Sequence, residues 1–400
     1  MAGKRIDAFF DKSILYLIYL FIFFSLFTIA GTQATLALIV VIWGVRMLYE
    51  RHWTVLRTPL DRAFLFFVLA CVLATLFSPR PLESLYNLKN LLLLSVVYII
   101  ASNLRQSRHI DVAMNIFIFT ATLMAAIGIL TTDLMGGYRV MSFQSTTMTW
   151  GAMSTIFSLI TLALFLFGRR DKMRWLYMGC FVVQLVSMLF SYVRGSWLGF
   201  MAGIFIMVMI KSKKLIAVVL LLLVVLFLLA PAPVQNRILS ITDMSVGSTQ
   251  VRFTQWKNSI DIFLDHPITG VGWIDLSEIH KTYAPEGADL SHQAYNIGHF
   301  HNNYVMFYVC LGGLGFIAAL YLIFRLLKTE YRIYRQLGSG SDTKQAWVIG
   351  SLAAMTGFWV NGFFDWTFGD AEPVTLLWFS VGLVLAIKNH IDRDRQAGRP

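Results

Sequence analysis

The most regular feature of the chain is a succession of long apolar runs separated by short polar connections. A helix of roughly 20 apolar residues crosses the hydrocarbon core of a bilayer. The pattern therefore predicts an all-α integral membrane protein with about 12 transmembrane helices. The runs lie near 14–30, 32–48, 62–77, 85–102, 110–131, 147–167, 173–190, 194–210, 214–230, 302–326, 345–364 and 373–388.

One polar connection is much longer than the others. It divides the chain into predicted transmembrane helices 1–9 in residues 1–230, a loop in residues 231–301, helices 10–12 in residues 302–388 and a polar tail in residues 389–400. The other connections on the same side of the predicted bundle are short and carry few charges. We therefore expect function to gather around the long loop.

Composition supports a membrane location, because 57% of the residues are hydrophobic and only 14% are charged. No single soluble core hides that much apolar surface. The net charge of +11 comes from basic residues in short connections, which orient a membrane protein and do not form a nucleic-acid-binding face. A cytoplasmic N-terminus puts about 25 of the 33 Lys and Arg residues inside in line with the positive-inside rule. Both termini are then cytoplasmic, and the long loop lies outside.

The long loop contains an amphipathic helix, predicted either to lie on the membrane surface or to cap the bundle. Ser248 or Thr249 is expected to cap its start, and His266-Pro267 ends it, with Gly270 and Gly272 allowing a tight turn. The apolar residues at helical spacing are Phe253, Trp256, Ile260, Phe263 and Leu264. The polar residues on the opposite side are Gln255, Lys257, Asn258 and Asp261.

Two arginines stand where a cation is unfavourable. Arg194 precedes a predicted membrane helix, and Arg252 lies near the start of the loop helix. A helix N-terminus carries about half a positive charge and favours anions. A bound phosphate would relieve both conflicts. The alternative is that Arg194 extends to the interface beside Tyr192 and Trp197.

Three histidines precede the tenth predicted span: His292, His299 and His301. Histidine is the side chain best suited to accept a proton near neutral pH. In an extended stretch His299 and His301 would point the same way, whereas in a helix they would diverge. The spacing is not HExxH, and the cysteines, Cys71, Cys180 and Cys310, all lie in apolar runs, so we expect no metal and no disulfide.

Acidic residues occupy the last outward turn. Asp370 is predicted to be the N-cap of the final helix, because aspartate there satisfies free backbone N–H groups. Asp365 is a candidate for orienting a histidine or a substrate hydroxyl.

Three segments in this order, RGSWLG, VRFTQWKNSIDIFLDHPITGVGW and HFHNNYV, resemble the O-antigen ligase and O-antigen polymerase superfamily. The chain looks most like its lipopolysaccharide O-antigen ligases. The resemblance implies a GT-C-like membrane glycosyltransferase in the bacterial inner membrane, with a periplasmic active site and no cofactor. It implies transfer of O-antigen from undecaprenyl diphosphate to the lipid A–core oligosaccharide, with inversion and without a metal.

By the same resemblance, Arg194 and Arg252 would hold the diphosphate and His301 would activate the acceptor hydroxyl. His299 would be a helper, and Asp365 and Tyr192 are further candidates for contacting substrate or orienting these groups. The implied partners are the two lipid-linked saccharides and membrane lipids, not nucleic acid. Guanidinium groups would take the task that a metal performs elsewhere, by neutralising charge on the leaving group.

Three other functions remain open at this stage. An O-antigen polymerase often carries two sizeable outward loops, whereas this chain has one. A protein O-oligosaccharyltransferase usually has a longer C-terminal part. A polysaccharide or lipid-linked oligosaccharide transporter would be expected to show inverted repeats or charges near mid-membrane, whereas the polar groups here collect at one face.

Overall fold

The computed structural model describes residues 2–50, 57–134, 136–211, 247–337 and 343–398, together with residues 228, 235, 236 and 239. These residues form α-helices and short 3₁₀ helices at Leu88–Leu94 and Gln293–Tyr295. The α-helices are α1 (Ala2–Phe27), α2 (Ile29–Glu50), α3 (Asp61–Leu76), α4 (Pro81–Asn87), α5 (Ser95–Asn103), α6 (Ser107–Thr131), α7 (Thr147–Phe167), α8 (Lys172–Phe190), α9 (Arg194–Lys211), α10 (Gly247–Asp265), α11 (Ser277–Thr282), α12 (Asn303–Gln336), α13 (Thr343–Asn361) and α14 (Ala371–Gln396).

The prediction of an all-α integral membrane protein is confirmed. Among the described residues, nine helical stretches are long and apolar enough to cross a membrane. They correspond to α1, α2, Pro81–Asn103, α6 to α9, α12 and α14. Helices α3 and α13 coincide with the predicted runs at 62–77 and 345–364. The predicted run at 214–230 lies outside the described residues except for residue 228.

Two sets of contacts define the two ends of the helix bundle. At one end, Ser78 donates to the Val271 carbonyl at 2.7 Å, and Arg194 donates to Thr249 at 3.3 Å. At the other end, Lys211 donates to Gln345 at 3.1 Å. We call the first the loop end, formed by residues 77–80, 136–146, 191–193, 247–302 and 362–370. The polar side chains of the predicted loop therefore share one end of the bundle with four interhelical connections.

Helix α9 approaches α13 closely because small residues line its contact face. Glycines recur there every four residues, at Gly195, Gly199 and Gly203. A Cβ atom at Gly199 would meet the Gly357 carbonyl, and one at Gly195 would meet the Asn361 side chain. Small residues at this spacing let membrane helices pack backbone to backbone. The packing sets the start of α9 beside the 362–370 connection.

Helix α12 is broken at Gly312, where φ is 62°, and the turn after α10 docks into the break. The N–H of Val271 donates to the Val309 carbonyl at 3.0 Å, and that of Gly272 donates to the Cys310 carbonyl at 2.8 Å. The break leaves these carbonyls without helical partners, and the turn satisfies them. The long loop is therefore hydrogen-bonded to the interior of a membrane helix.

Helix α10 is amphipathic as predicted, but its apolar side faces outward. Phe253, Ile260 and Leu264 are 56–66% exposed, whereas Gln255 and Asn258 are buried. Trp256 and Phe263 instead pack against the bundle. The exposed apolar residues favour a position on the membrane surface, and the cap stays an alternative. The predicted capping of its start is wrong. Because α10 begins at Gly247, Ser248 and Thr249 already lie in its first turn.

Candidate active site

A histidine and a carboxylate meet at the loop end. Nδ1 of His301 lies 3.0 Å from Oδ1 of Asp365, and both side chains are largely buried. A carboxylate only accepts hydrogen bonds, so Nδ1 carries the proton and Nε2 of the neutral ring keeps a lone pair. The sequence-based suggestion that Asp365 orients a histidine agrees with this geometry.

Two asparagines that follow His301 explain how the pair is held. The Asn302 side chain caps α12 by accepting from the N–H groups of Tyr304 and Val305 at 2.8 and 3.1 Å. It also donates to the Phe363 carbonyl at 3.0 Å. The Asn303 side chain donates to Thr367 at 2.9 Å. Both asparagines thus fix the 362–370 connection, which carries Asp365, against the start of α12.

His299 lies beside the pair, as expected for an extended stretch. The ring centroids of His299 and His301 are 4.8 Å apart, and buried Phe300 lies between them in sequence. Burial, with a smaller contribution from the charge of His301, lowers the pKa of His299 to about 4. The His299 imidazole is therefore neutral near pH 7. Its carbonyl accepts from Gln255 of α10 at 3.2 Å.

Both predicted arginines reach this site, and a third joins them. Arg194 is the first residue of α9 and donates to Thr249 of α10. Burial and the positive charge of Arg194 lower the pKa of Arg252, while Asp365 raises it. Burial and Arg194 likewise lower the pKa of Arg139. Three guanidinium groups that repel one another are thus held partly away from water, an arrangement that favours a bound anion.

Sequence reasoning missed Arg139, because it lies in a short connection with no helix start or motif beside it. In the structure, its guanidinium donates to the Tyr192 carbonyl at 3.1 Å and to Thr147 at 3.2 Å. The turn that receives it is unusual. Tyr192 is the one non-glycine residue with positive φ, 54°, among those the structure describes.

The candidate Tyr192 is itself buried, and its ring packs against Phe190 and Trp197. A left-handed backbone at tyrosine costs on the order of 1–3 kcal/mol and persists only where its surroundings hold it. Tyr192 therefore orients the site through its main chain, by turning the chain into Arg194 and accepting from Arg139.

The remaining predicted residues lie elsewhere. His292 is exposed and accepts from the Ala294 N–H at 3.3 Å, which is a structural role in the loop. Asp370 does occupy the N-cap position of α14, but its side chain makes no capping hydrogen bond. It instead accepts from Thr149 at 2.7 Å. Burial raises the pKa of Asp370 to about 7.

A metal fits this cluster poorly. The nearest donor atoms of His299, His301 and Asp365 lie within 4.8 Å of one another. That spacing by itself permits a shared ion, but the surrounding charge opposes one. The same carboxylate interacts with Arg252, and the neighbouring guanidinium groups repel a dication. The absence of a metal stays a prediction.

A cavity of about 380 Å³ opens beside His299. Its walls come from the 83–94 segment, the 273–275 turn, the 366–371 connection and α14, and they combine three carboxylates, two amides and four aromatic side chains. These are Glu83, Asp275, Asp370, Asn87, Asn90, Trp273, Trp366, Phe368 and Trp378. His301 and the three arginines do not line this cavity.

The segment that brings these elements together has known relatives. Residues 179–320 match the O-antigen ligase family. The match supports the resemblance over about a third of the chain, where residues 179–320 are similar to that family. The family region includes Arg194, Arg252, His299 and His301, whereas Arg139 and Asp365 lie outside it and join the site through the fold. Among curated proteins, none matches the chain at a significant level.

Proposed function

We propose that this chain is a glycosyltransferase that moves O-antigen from undecaprenyl diphosphate to the lipid A–core oligosaccharide. The observation that supports this most directly is the His301–Asp365 pair beside three partly buried arginines. A proton acceptor and a site for a diphosphate are the two groups that glycosyl transfer from such a donor requires.

In the proposed step, the acceptor hydroxyl oxygen attacks the anomeric carbon of the donor sugar. His301 takes the hydroxyl proton at Nε2, and the Asp365 carboxylate stabilises the imidazolium that forms. The bond between the anomeric carbon and the phosphate oxygen breaks, and undecaprenyl diphosphate leaves with the electron pair. Attack from the face opposite the leaving group inverts the anomeric centre.

The arginines replace a metal in this scheme. Negative charge grows on the diphosphate as the bond breaks, and guanidinium groups fixed in a site with little water stabilise that charge without rearranging. Arg194 and Arg252 act as predicted from the sequence, and Arg139 becomes a third candidate. Loss of one such donor typically costs about 100- to 1,000-fold in rate.

The test is transfer by the purified full chain in excess chelator, with undecaprenyl-diphosphate-linked O-antigen and lipid A–core. We expect product from the wild type and a loss of at least 100-fold in His301→Ala and Arg194→Ala. Arg105→Ala, at the opposite end of the bundle, is the matched control and should stay active. Lengthening of the donor without product on lipid A–core would instead identify a polymerase. Activity abolished by chelator would rule out the metal-free mechanism.

The proposed location places the loop end in the periplasm and both termini in the cytoplasm of the inner membrane. The native cysteines are buried, so single surface cysteines report on sidedness. Glu286→Cys in the loop should react with an impermeant maleimide on intact spheroplasts. Lys172→Cys, before α8, should react only after lysis. The reverse result would invert the topology.

A further inference from the structure

The cavity beside His299 has the chemistry of a saccharide site. Its volume of about 380 Å³ lies within the range of small-ligand pockets, roughly 300–1,000 Å³. Carboxylates accept hydrogen bonds from hydroxyl groups, and amides both accept and donate them. Indole faces pack against the apolar C–H face of a pyranose ring. The cavity therefore offers both kinds of surface that a sugar presents.

One buried polar group in the wall lacks a partner. Trp273 is 9% exposed and lines the cavity. Its indole Nε1 makes no hydrogen bond within the described part of the chain. Burying an N–H group without a partner costs on the order of 1–3 kcal/mol. Nε1 is itself covered in the empty cavity, so a ligand hydroxyl accepts from it after a small rotation of the ring and then recovers that cost.

Charge separates the cavity from the arginine cluster. Glu83, Asp275 and Asp370 line the cavity, whereas Arg139, Arg194 and Arg252 do not. The negative charge of this wall lies mainly at Asp275, because Glu83 pairs with Arg80 at 2.8 Å and burial raises the pKa of Asp370 to about 7. The wall still disfavours a phosphate and the donor diphosphate. It accepts hydrogen bonds from hydroxyl groups and attracts an ammonium group. The cavity and the arginine cluster thus favour different ligands. His299 lies in the cavity wall, and its ring centroid is 4.8 Å from that of His301.

We propose that this cavity binds the terminal sugar of the acceptor and selects an uncharged or amino sugar over a phosphorylated one. This inference rests on the proposed function. Leucines of the Leu88–Leu94 segment form part of the wall, so the cavity also has an apolar side toward the membrane helices. An acceptor sugar held there places a hydroxyl toward His301, past the neutral ring of His299.

Saturation-transfer NMR on the full chain in detergent tests the inference without the donor. The probes are methyl glucoside, glucosamine and glucose 6-phosphate at equal concentrations. We expect transfer to the first two sugars and at least fivefold less to the phosphate. Trp273→Phe, which keeps a ring but removes the N–H group, and Asp370→Asn should each reduce transfer at least fivefold. Trp175→Phe, an exposed tryptophan at the opposite end, is the matched control.

Thermal unfolding separates binding from folding. A ligand-binding role predicts that Trp273→Phe leaves the unfolding temperature unchanged or higher, because it removes a buried N–H group that has no partner in the empty cavity. A lower unfolding temperature together with unchanged sugar binding would overturn the inference. So would strongest binding of glucose 6-phosphate that is lost in Arg194→Ala, because the arginines would then be the only ligand site.

The transfer assay distinguishes the two proposals. In that assay, Trp273→Phe should raise KM for lipid A–core at least fivefold and leave KM for the donor unchanged. Transfer by the wild type without these changes would contradict the cavity inference alone. Sugar binding as predicted, but no transfer to lipid A–core by the wild type, would contradict the proposed function and leave a saccharide site in a protein of different activity.

Discussion

Nδ1 of His301 lies 3.0 Å from Oδ1 of Asp365, although 64 positions separate the two residues in sequence. The contact depends on asparagines rather than on acidic or basic groups. Asn302 and Asn303 tie the connection that carries Asp365 to the first turn of α12. The HNN segment is therefore one structural unit, in which the first residue supplies the proposed proton acceptor and the next two position the carboxylate that contacts it.

The first prediction concerns this carboxylate. Asp365→Asn keeps the shape of the side chain but removes the negative charge that stabilises a protonated His301. We expect kcat to fall about 100- to 10,000-fold, the typical contribution of general base catalysis, with KM for the donor changed less than threefold. Steady-state transfer kinetics measure both constants. Asp289→Asn, which alters an exposed loop carboxylate, should leave both unchanged. An Asp365→Asn enzyme as active as this control would remove Asp365 from the mechanism.

The second prediction concerns Arg139, which the sequence did not single out. Arg139→Gln removes one of three partly buried cations, together with its repulsion by Arg194. We expect the empty protein to unfold at the same or a higher temperature, because repulsion and desolvation are relieved. Affinity for undecaprenyl diphosphate should fall at least tenfold, as measured by displacement of a fluorescent analogue. Arg105→Gln serves as the control. Unchanged affinity would mean that Arg139 only supports the Tyr192 turn.

The third prediction compares two glycines with similar backbone angles. Gly270 and Gly287 have φ of 66° and 77°, but a Cβ atom at Gly270 would strike the backbone of Val309 and Gly312, whereas one at Gly287 meets nothing within 4 Å. Gly287→Ala should lower the free energy of unfolding by about 1 kcal/mol through backbone strain alone. Gly270→Ala should cost at least about 2 kcal/mol more, because the turn must leave the α12 break. Equal losses in chemical unfolding would show that the docking contributes little.

The fourth prediction concerns acid sensitivity. His280 is fully buried against Phe300, and neither ring nitrogen has a hydrogen-bond partner among the described residues. Burial, with the nearby charge of His299, lowers the pKa of His280 from 6.5 to about 4, while Asp275 raises it. The unfolded chain therefore binds a proton at a higher pH than the folded chain. The contribution of neutral His280 to the free energy of unfolding is fully present above pH 6.5 and is lost as the pH falls toward 4.

His280→Leu removes one of the groups responsible; the pKa of His299, for example, is lowered in the same way. We expect the variant to gain about 2 kcal/mol relative to the wild type at pH 5, compared with their difference at pH 8. Unfolding in detergent at both pH values measures this change. The same difference at both pH values would show that His280 is not buried in its neutral form.

The sequence predicted the helices well because membrane spans leave a local signal. Each span must be apolar over its whole length, and this holds whatever its neighbours are. The placement of Arg194 at the start of α9 follows from the same logic. The Gly195, Gly199 and Gly203 series was also visible in the sequence, but its partner, Gly357, can be assigned only when α13 is in place.

The site was harder to predict because its members come from distant segments. His301 and Arg194 stand in recognisable motifs. Arg139 does not, and its role depends on a turn at Tyr192 that no residue preference suggests, since tyrosine rarely adopts positive φ. The prediction of how α10 is capped was wrong for a different reason. Ser248 and Thr249 have good capping chemistry, but the helix begins earlier, and Thr249 contacts Arg194 instead.

The cavity could not have been found from sequence at all. Trp273, Trp366 and Trp378 are ordinary apolar residues of a loop, a connection and a membrane helix until the fold brings them together. Their neighbours Glu83, Asp275 and Asp370 carry no spacing that distinguishes them from other surface or capping carboxylates. Only the three-dimensional arrangement separates an acidic aromatic wall from the basic cluster.

The docking of the 267–272 turn into the break in α12 couples two parts of the site mechanically. Trp273 follows the turn directly, and His301 precedes the same helix, so both belong to one rigid frame. A gating motion that carried the tryptophan away from the histidine would have to break the hydrogen bonds at the Val309 and Cys310 carbonyls. We therefore expect substrates to gain access through movement of other elements, with the spacing between Trp273 and His301 kept constant.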